Sequence, residues 1–309
     1  MTSKITRDEI IDLLTIENGS KDYFDLLARA YRMSREKFGQ RGYVFAQIGL
    51  NAEPCTANCK FCTFGENHFS AEQRYKKSKA EILEEVQSYV EEGIDALFLM
   101  TTADYPIEAF LSIAEEVKKK LNPETELIAN IGDFDEVVAG KLIEKGFTGV
   151  YHICRLGEGT DTEVEPERRV ATIEALKGVG LALYYCIEPI GPEHTPEQIA
   201  DEIQRAIRYE VDVMAVMRRV PAKGTPMAEK GTIDLLEFTK IAAVTRIAVD
   251  PKKSMNAHET NQMTLLAGIN QLYAESGSNP RDNRAETQGN RGLSVRDCKA
   301  ILRDARYEV

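Results

Sequence analysis

Short apolar runs alternate with amphipathic segments along most of this chain. The apolar runs lack the strict alternation of a half-exposed strand, which is typical of strands with both faces covered. They predict strands at residues 43–50, 96–100, 126–131, 149–155, 182–187, 211–220, 254–257 and 272–274. The amphipathic segments predict helices at residues 80–92, 107–121, 135–145, 166–177, 196–209, 235–247, 261–271 and 294–306.

The strand–helix unit recurs about every 25–35 residues, which predicts a parallel sheet closed as a (β/α)8 TIM-type barrel. The alternative is a partial barrel of about six units with a C-terminal extension. We favour the full barrel because two more helix-bearing units follow Val220. Residues 6–37 predict a further helical stretch, so we divide the chain into an N-terminal helical extension, 1–42, and a barrel, 43–309.

The composition and net charge limit which classes of protein this chain fits. The chain has 309 residues, 43% hydrophobic and 29% charged, which suits one large domain or two small ones. The net charge is −11 and there is no basic block, so we expect neither nucleic acid nor an anionic membrane surface as a partner. No apolar run reaches ~18 residues, so we expect no spanning segment and no export signal. Six cysteines in a chain of this length fit a reducing cytoplasm, where thiolates bind metals.

Three cysteines, Cys55, Cys59 and Cys62, follow the first predicted strand at the spacing C-x3-C-x2-C. The loop that carries them therefore lies at the C-terminal end of a strand, where barrels place their chemistry. Structural zinc usually takes four protein ligands, and no fourth Cys or His follows at pair spacing. Iron–sulfur clusters also bind thiolates and usually take four cysteines, so three cysteines leave one iron open to an exogenous ligand.

This spacing, with the aromatic Phe61 before the last cysteine, resembles the motif of the radical S-adenosylmethionine (SAM) superfamily. The resemblance implies a [4Fe–4S] cluster on Cys55, Cys59 and Cys62, with SAM bound to the fourth iron through its amino and carboxylate groups. It implies that an electron from a ferredoxin or flavodoxin cleaves SAM to methionine and a 5′-deoxyadenosyl radical, which abstracts hydrogen from a substrate. The alternative from another class is a non-catalytic, metal-binding barrel that serves as an assembly partner.

Three later segments, 224–227, 241–247 and 266–270, resemble the C-terminal half of biotin synthase. That half is shared with the [FeFe]-hydrogenase maturase, methylornithine synthase and biotin-synthase-like lipoyl synthases. Biotin synthase also holds a [2Fe–2S] cluster on three cysteines and an arginine. The matching positions in this chain are Leu99, Ala129, Tyr185 and His258, so the resemblance implies that this second cluster is not kept.

The resemblance also implies a SAM site at the strand ends. Arg155 and Glu158 lie in a segment that resembles the strand end where relatives contact SAM with an arginine and a carboxylate. Glu158 is expected to contact the ribose or amino group of SAM, and Arg169 its carboxylate. Backbone contacts to SAM are implied at Met100, Thr101, Thr102 and Ile190. The alternative for Glu158 and Arg169 is an ion pair on the surface.

Three cysteines remain, Cys154, Cys186 and Cys298. The first two lie near the ends of the fourth and fifth predicted strands, and the third lies about one turn into the last helix. All three are therefore expected near the C-terminal face of the barrel, where they would ligate an auxiliary iron–sulfur cluster. The alternative is that they are buried and pack like small hydrophobic residues.

Other polar residues near the strand ends are candidates to bind the substrate: Tyr105, Asn130, Asp133, Tyr184, Glu188, Arg218, Arg219, Asn256 and His258. The Arg218–Arg219 pair would bind a carboxylate, or else form salt bridges with neighbouring acids. The polar stretch 276–292 is long enough to be a lid over the barrel mouth, or else a surface loop.

The sequence thus predicts a cytoplasmic radical SAM enzyme of the biotin-synthase-like group, with a small or carrier-bound substrate. Two reactions stay open. In one, the spare cysteines hold a cluster that gives sulfur to the substrate radical, as in a lipoyl-synthase-like sulfurtransferase of cofactor biosynthesis. In the other there is no second cluster, and the radical rearranges or cleaves a molecule, as a mutase or lyase in cofactor or metallocluster maturation. We favour the first because the spare cysteines are all predicted at one face.

Overall fold

The computed structural model describes residues 5–71, 74–258, 260–275 and 292–309, so the predicted lid falls outside the described residues except for position 292. The strands are β1 (Tyr43–Gly49), β2 (Asn51–Ala52), β3 (Tyr75–Lys76), β4 (Ala96–Met100), β5 (Glu126–Asn130), β6 (Gly149–Tyr151), β7 (Ala182–Ile190), β8 (Val213–Arg218), β9 (Ser254–His258) and β10 (Gln271–Ala274). Within the described ranges, eight parallel strands close in the order β1-β10-β9-β8-β7-β6-β5-β4. The predicted (β/α)8 barrel is confirmed.

Helices surround the barrel and begin at well-formed caps. They are α1 (Arg7–Leu14), α2 (Lys21–Phe38), α3 (Lys79–Glu92), α4 (Ile107–Lys118), α5 (Glu136–Glu144), α6 (Pro166–Gly178), α7 (Pro196–Tyr209), α8 (Leu235–Val249) and α9 (Val295–Asp304). Thr6, Ser78, Thr195 and Ser294 each form a capping box, in which the side chains of the cap and of the third helical residue satisfy each other's backbone N–H groups.

Two helix predictions are wrong in their extent, and glycine explains both. The single stretch 6–37 is two helices, because the chain turns at Gly19 (φ 79°) before α2 begins. The predicted helix 261–271 is instead a short 3-10 segment, Gln262–Ala267, that ends at Gly268 (φ 80°). A Cβ at Gly268 would lie 2.6 Å from the carbonyl oxygen of Ala30, so glycine lets this turn pack directly against α2.

Aromatic rings fill the centre of the barrel. Phe45, Phe98, Tyr184 and Tyr273 come from four strands and pack edge-to-face or tilted, with ring centroids 5.2 Å apart for Phe98 and Tyr273 and 5.8 Å for Phe45 and Phe98. Such pairs add to the stabilisation from burial itself. This aromatic layer closes the barrel interior, so any ligand must bind between it and the C-terminal ends of the strands.

Three of the positions matched to the second biotin synthase cluster face away from the barrel interior. Leu99, Ala129 and Tyr185 belong to the core between the sheet and the helices, whereas their neighbours Phe98, Ile128 and Tyr184 face the barrel interior. A shift of one residue moves a strand side chain to the opposite face of the sheet. The inward set also contains no cysteine, so the implication drawn from these positions is unchanged.

The N-terminal helices cover one flank of the barrel. α2 packs along α8, and α1 packs against α7 and α8. Their apolar faces are fully buried, with Ile10 and Ala30 at 0% exposure. The division into an extension and a barrel stays a prediction. Across the described residues, no helix combines the length and apolar character needed to cross a bilayer.

Truncating the buried face of α1 should destabilise the whole molecule. We expect Ile10→Ala to lower the free energy of unfolding by ~2–4 kcal/mol, because it removes buried methyl groups and leaves a cavity against α7 and α8. The matched control is Val137→Ala on α5, where the side chain is 67% exposed and the expected change is within ~0.5 kcal/mol. Denaturant unfolding followed by circular dichroism measures both. Equal stability of the two variants would contradict a structural role for α1.

Candidate active site

A cavity opens at the C-terminal ends of the barrel strands, above the aromatic layer. Because strand side chains alternate, the residues two places beyond the aromatic layer face this cavity: Gln47, Met100, Asn130, Cys186 and Ala215. The cysteine loop forms the opposite wall. The predicted cluster and SAM residues that line the cavity are Cys55, Cys59, Phe61, Cys62, Met100, Thr101, Thr102, Arg155, Arg169 and Cys186. The substrate candidates that line it are Asn130, Glu188, Arg219, Asn256 and His258.

The cysteine loop holds its own shape through backbone hydrogen bonds. Cys55 N–H donates to the carbonyl of Phe64 at 2.7 Å, and the carbonyl of Cys55 accepts from Glu66 N–H at 3.1 Å. Cys62 N–H donates to the carbonyl of Cys59 at 2.9 Å, which closes a tight turn between the last two cysteines. The loop is therefore fixed before any ligand binds.

Burial raises the pKa of two of the loop thiols, Cys55 and Cys59, and so favours their protonated form. It raises the pKa of Cys59 to about 12, although the nearby Arg155 guanidinium acts in the opposite direction. Burial also raises the pKa of Cys55, against backbone hydrogen bonds from Ala103 and Ala57 that lower it. Thiols in this state bind as thiolates when a metal replaces the proton. They are therefore suited to hold a metal group and unsuited to act as free nucleophiles.

The loop fits a cluster better than a single zinc ion. Among residues 5–71, 74–258, 260–275 and 292–309, no three His, Cys, Asp or Glu side chains form a set that could hold one metal ion. Thiolates on one tetrahedral zinc lie about 3.8 Å apart, since each Zn–S bond is about 2.3 Å. Thiolates that each bind a different iron of a cluster lie farther apart. Three cysteines that line one wall of a cavity are compatible with the second arrangement.

A buried charge network supports the wall beside the loop. Arg169 donates from Nη1 to both oxygens of Asp133 at 3.1 Å and from Nε to Glu158 at 3.2 Å. Glu158 also accepts from Arg155 N–H at 3.0 Å and from the Thr162 hydroxyl at 2.6 Å. The side chains of Glu158 and Arg169 are 1% and 6% exposed, so they form no surface ion pair. Arg169 lines the cavity, whereas Glu158 lies behind the cavity wall. Glu158 accepts hydrogen bonds from both Arg155 and Arg169.

Biotin synthases are similar to this chain in sequence. No protein-family model matches the chain. Biotin synthase of Desulforudis audaxviator is 28% identical over 252 residues, which cover 76% of this chain and 75% of the relative. Biotin synthase of Carboxydothermus hydrogenoformans is 22% identical over 285 residues, 86% of each chain.

Two solved structures match almost the whole chain. Methylornithine synthase superposes with a TM-score of 0.80 at 20% identity, over 98% of this chain and 93% of that one. The [FeFe]-hydrogenase maturase HydG of Carboxydothermus hydrogenoformans superposes with a TM-score of 0.82 at 16% identity, over 98% and 75%. At these sequence identities, the superpositions show only that the barrel fold is shared. The similarity to biotin synthases agrees with the predicted resemblance to the biotin-synthase-like group of the radical SAM superfamily.

The three spare cysteines, which were expected to converge at one face, lie in different surroundings. Cys186 faces the cavity. Cys154 lies outside the sheet, where Glu202 and Arg205 of α7 act on its thiol and burial raises its pKa to about 11. Cys298 lies on the buried face of α9 and donates to the carbonyl of Tyr273 at 3.3 Å. Cys154 follows the end of β6 and lies near α7, whereas α9 packs against β1 and β10, which separates these two thiols.

Ile190 and the arginine pair also differ from their expected roles. Ile190 is fully buried, and its carbonyl accepts from the backbone N–H of Arg219 at 2.7 Å. The Arg219 guanidinium pairs with Glu193 and donates to the carbonyl of Gly231 at 3.0 Å and 3.1 Å. A Cβ at Gly191 would lie 2.3 Å from this guanidinium, which explains the glycine. Arg219 is thus committed to protein groups, as the salt-bridge alternative stated.

The sequence predicted only part of a polar cluster that lies on the cavity wall. Tyr151 donates to Glu188 at 2.9 Å, and Arg155 Nε lies 3.2 Å from the other carboxylate oxygen of Glu188. Cys186 lies beside this group, and its pKa is raised by burial and by the charge of Glu188. Sequence reasoning did not single out Tyr151, Gln47 or Tyr273. Inward-facing residues recur at every second position of a strand, but which positions face inward on β1 and β10 is known only from the folded barrel.

We expect no second cluster in this protein. After anaerobic reconstitution, the wild type and the Cys154→Ala/Cys186→Ala/Cys298→Ala variant should both hold about four irons per chain, because the three thiols lie in different surroundings. Iron and acid-labile sulfide analysis measures this. A wild type near eight irons that falls to about four in the variant would contradict the geometry.

Asp133 should make stability depend on acid pH. Burial alone would raise its pKa, but His152, Arg169 and Arg168 outweigh burial and hold the pKa at about 2, below the usual 3.8. A carboxylate with a lowered folded-state pKa stabilises the fold above its unfolded pKa and loses that effect as pH falls. We expect the wild type to melt above Asp133→Asn at about pH 5 and the gap to narrow toward about pH 2.5. A gap that is constant with pH would argue against this ion pair.

Proposed function

We propose that this protein is a radical SAM enzyme that reductively cleaves SAM and abstracts a hydrogen atom from a substrate bound in the barrel. The observation that carries the proposal is the single cavity that the cysteine loop shares with the polar strand ends. The motif provides three ligands for a cluster, and the strand ends provide groups for SAM and substrate. Biotin synthase relatives support the same assignment.

Each part of the cavity has a proposed role. Cys55, Cys59 and Cys62 would hold the [4Fe–4S] cluster. Arg169 would pair with the carboxylate of SAM, and the backbone at Thr101 and Thr102 would bind its amino group, since both residues line the cavity. When bound, the cluster supplies the electron that breaks SAM into methionine and a 5′-deoxyadenosyl radical. A ferredoxin or flavodoxin is the proposed electron donor.

The protein itself confines and orients the reacting groups. The aromatic layer seals the barrel below the cavity, which keeps the substrate close to the cysteine loop. The Tyr151–Glu188–Arg155 cluster would orient polar groups of the substrate, because charged hydrogen bonds act strongly in a buried site. Positioning of this kind supplies much of the rate acceleration in an enclosed site.

Rearrangement or cleavage of the substrate radical is better supported than sulfur insertion. A lipoyl-synthase-like reaction needs a sulfur source near the substrate, and Cys186 is the one spare cysteine of the described residues that lines the cavity. A single thiol does not make an auxiliary cluster. We therefore propose a mutase- or lyase-type reaction on a small or carrier-bound substrate. A cytoplasmic location remains our expectation.

Reconstitution and SAM cleavage test the proposal. The anaerobic wild type should be brown, hold about four irons and form 5′-deoxyadenosine when reduced, and Cys59→Ala should do none of these. Arg169→Leu should keep its iron but bind SAM at least about tenfold more weakly, because a lost charge-assisted hydrogen bond costs ~1.5–3 kcal/mol. Asp201→Asn on the exposed face of α7 is the control and should match the wild type. A colourless wild type that binds zinc would favour the non-catalytic assembly protein.

A further inference from the structure

One histidine bridges the two turns of the cysteine loop. His68 Nε2 lies 3.2 Å from the carbonyl oxygen of Cys59 and 3.0 Å from that of Cys62. Carbonyl oxygens only accept hydrogen bonds, so Nε2 must carry the proton and donate to both. The same Cys59 carbonyl also accepts from Cys62 N–H, so the ring closes a small network around the last two cysteines.

The loop is built to admit this ring. A Cβ at Gly65 would lie 2.3 Å from the His68 ring, so any other residue at position 65 would displace it. Gly65 in turn pairs with Cys55 in an isolated β-bridge. His68 N–H donates to the carbonyl of Gly65 at 3.1 Å, within the short 3-10 turn Glu66–His68. The histidine therefore contacts the backbone segments of all three cysteines, either directly or through Gly65.

Fixing these two carbonyls also fixes the peptide groups next to them. The carbonyl and N–H of a trans peptide point in opposite directions, so a Cys62 carbonyl held by His68 turns the N–H of Thr63 away from the ring. Thr63 lines the cavity, on the side of the cysteines. The peptide dipoles and hydrogen bonds near a cluster help to set its reduction potential.

We propose that His68 is a positioning residue for the cluster. Its Nε2–H group donates one hydrogen bond that is shared by the carbonyl oxygens of Cys59 and Cys62. The inference rests on the proposed function and extends the motif to C-x3-C-x2-C-x2-G-x2-H, with Gly65 as the space for the ring. His68 binds neither the cluster nor SAM in this assignment. It holds the peptide groups that determine where the thiolates lie and which dipoles face the cluster.

The experiment compares His68→Leu with His68→Gln, which can still donate an N–H. Glu66→Gln, an exposed change in the same turn, is the matched control. Each variant is first checked for folding as the metal-free protein by circular dichroism and thermal melting. Iron content, the rate of iron loss to a chelator and the midpoint potential of the cluster by EPR-monitored redox titration are then measured at equal cluster loading.

We expect His68→Leu to fold normally, to lose iron about tenfold faster than the wild type and to have a shifted midpoint potential. His68→Gln should recover most of both properties, and Glu66→Gln should match the wild type. His68→Leu with wild-type iron loss and potential would overturn the inference, and so would equal defects in the leucine and glutamine variants, which would mean that ring shape alone matters. A wild type without iron would refute the proposed function itself, which is a distinguishable result.

Discussion

Side chains along a β-strand point alternately to its two faces, and in a closed barrel this alternation assigns every strand residue either to the interior or to the helices. β7 illustrates the constraint. Tyr184 packs in the aromatic layer, Cys186 lines the cavity, and Glu188 pairs with Tyr151 and Arg155 on its wall. The same order holds on the neighbouring strands, so one layer seals the barrel and the next forms the site.

The charged side chains at the cavity wall form ion pairs with one another. Asp133 and Glu158 lie behind the cavity wall and pair with Arg169, which lines the cavity. Glu188 balances Arg155 within the wall. Buried charges without partners are costly, so removing one member would leave the other unsatisfied. The cavity therefore contains charged groups whose orientation is already fixed by their partners in the protein.

This chain resembles biotin synthase in the spacing of its three loop cysteines, but the barrel interior below the cavity is filled by apolar side chains. The loop cysteines keep the spacing of the radical SAM motif, whereas Phe98, Ile128 and Tyr184 fill the space below the cavity. Apolar packing at that level stabilises the barrel and leaves no inward-facing cysteine there.

The sequence by itself determined the barrel and the cysteine loop. Apolar runs at regular spacing indicate buried parallel strands, and the spacing of Cys55, Cys59 and Cys62 is local, so both can be recognised without knowledge of distant contacts. The tertiary structure decided which side of the sheet each remaining cysteine faces, and that His68 reaches back to two cysteine carbonyls. A one-residue change in register reverses a strand side chain, and hydrogen bonds across a loop leave no periodic trace in the sequence. Those contacts could therefore be known only from the folded chain.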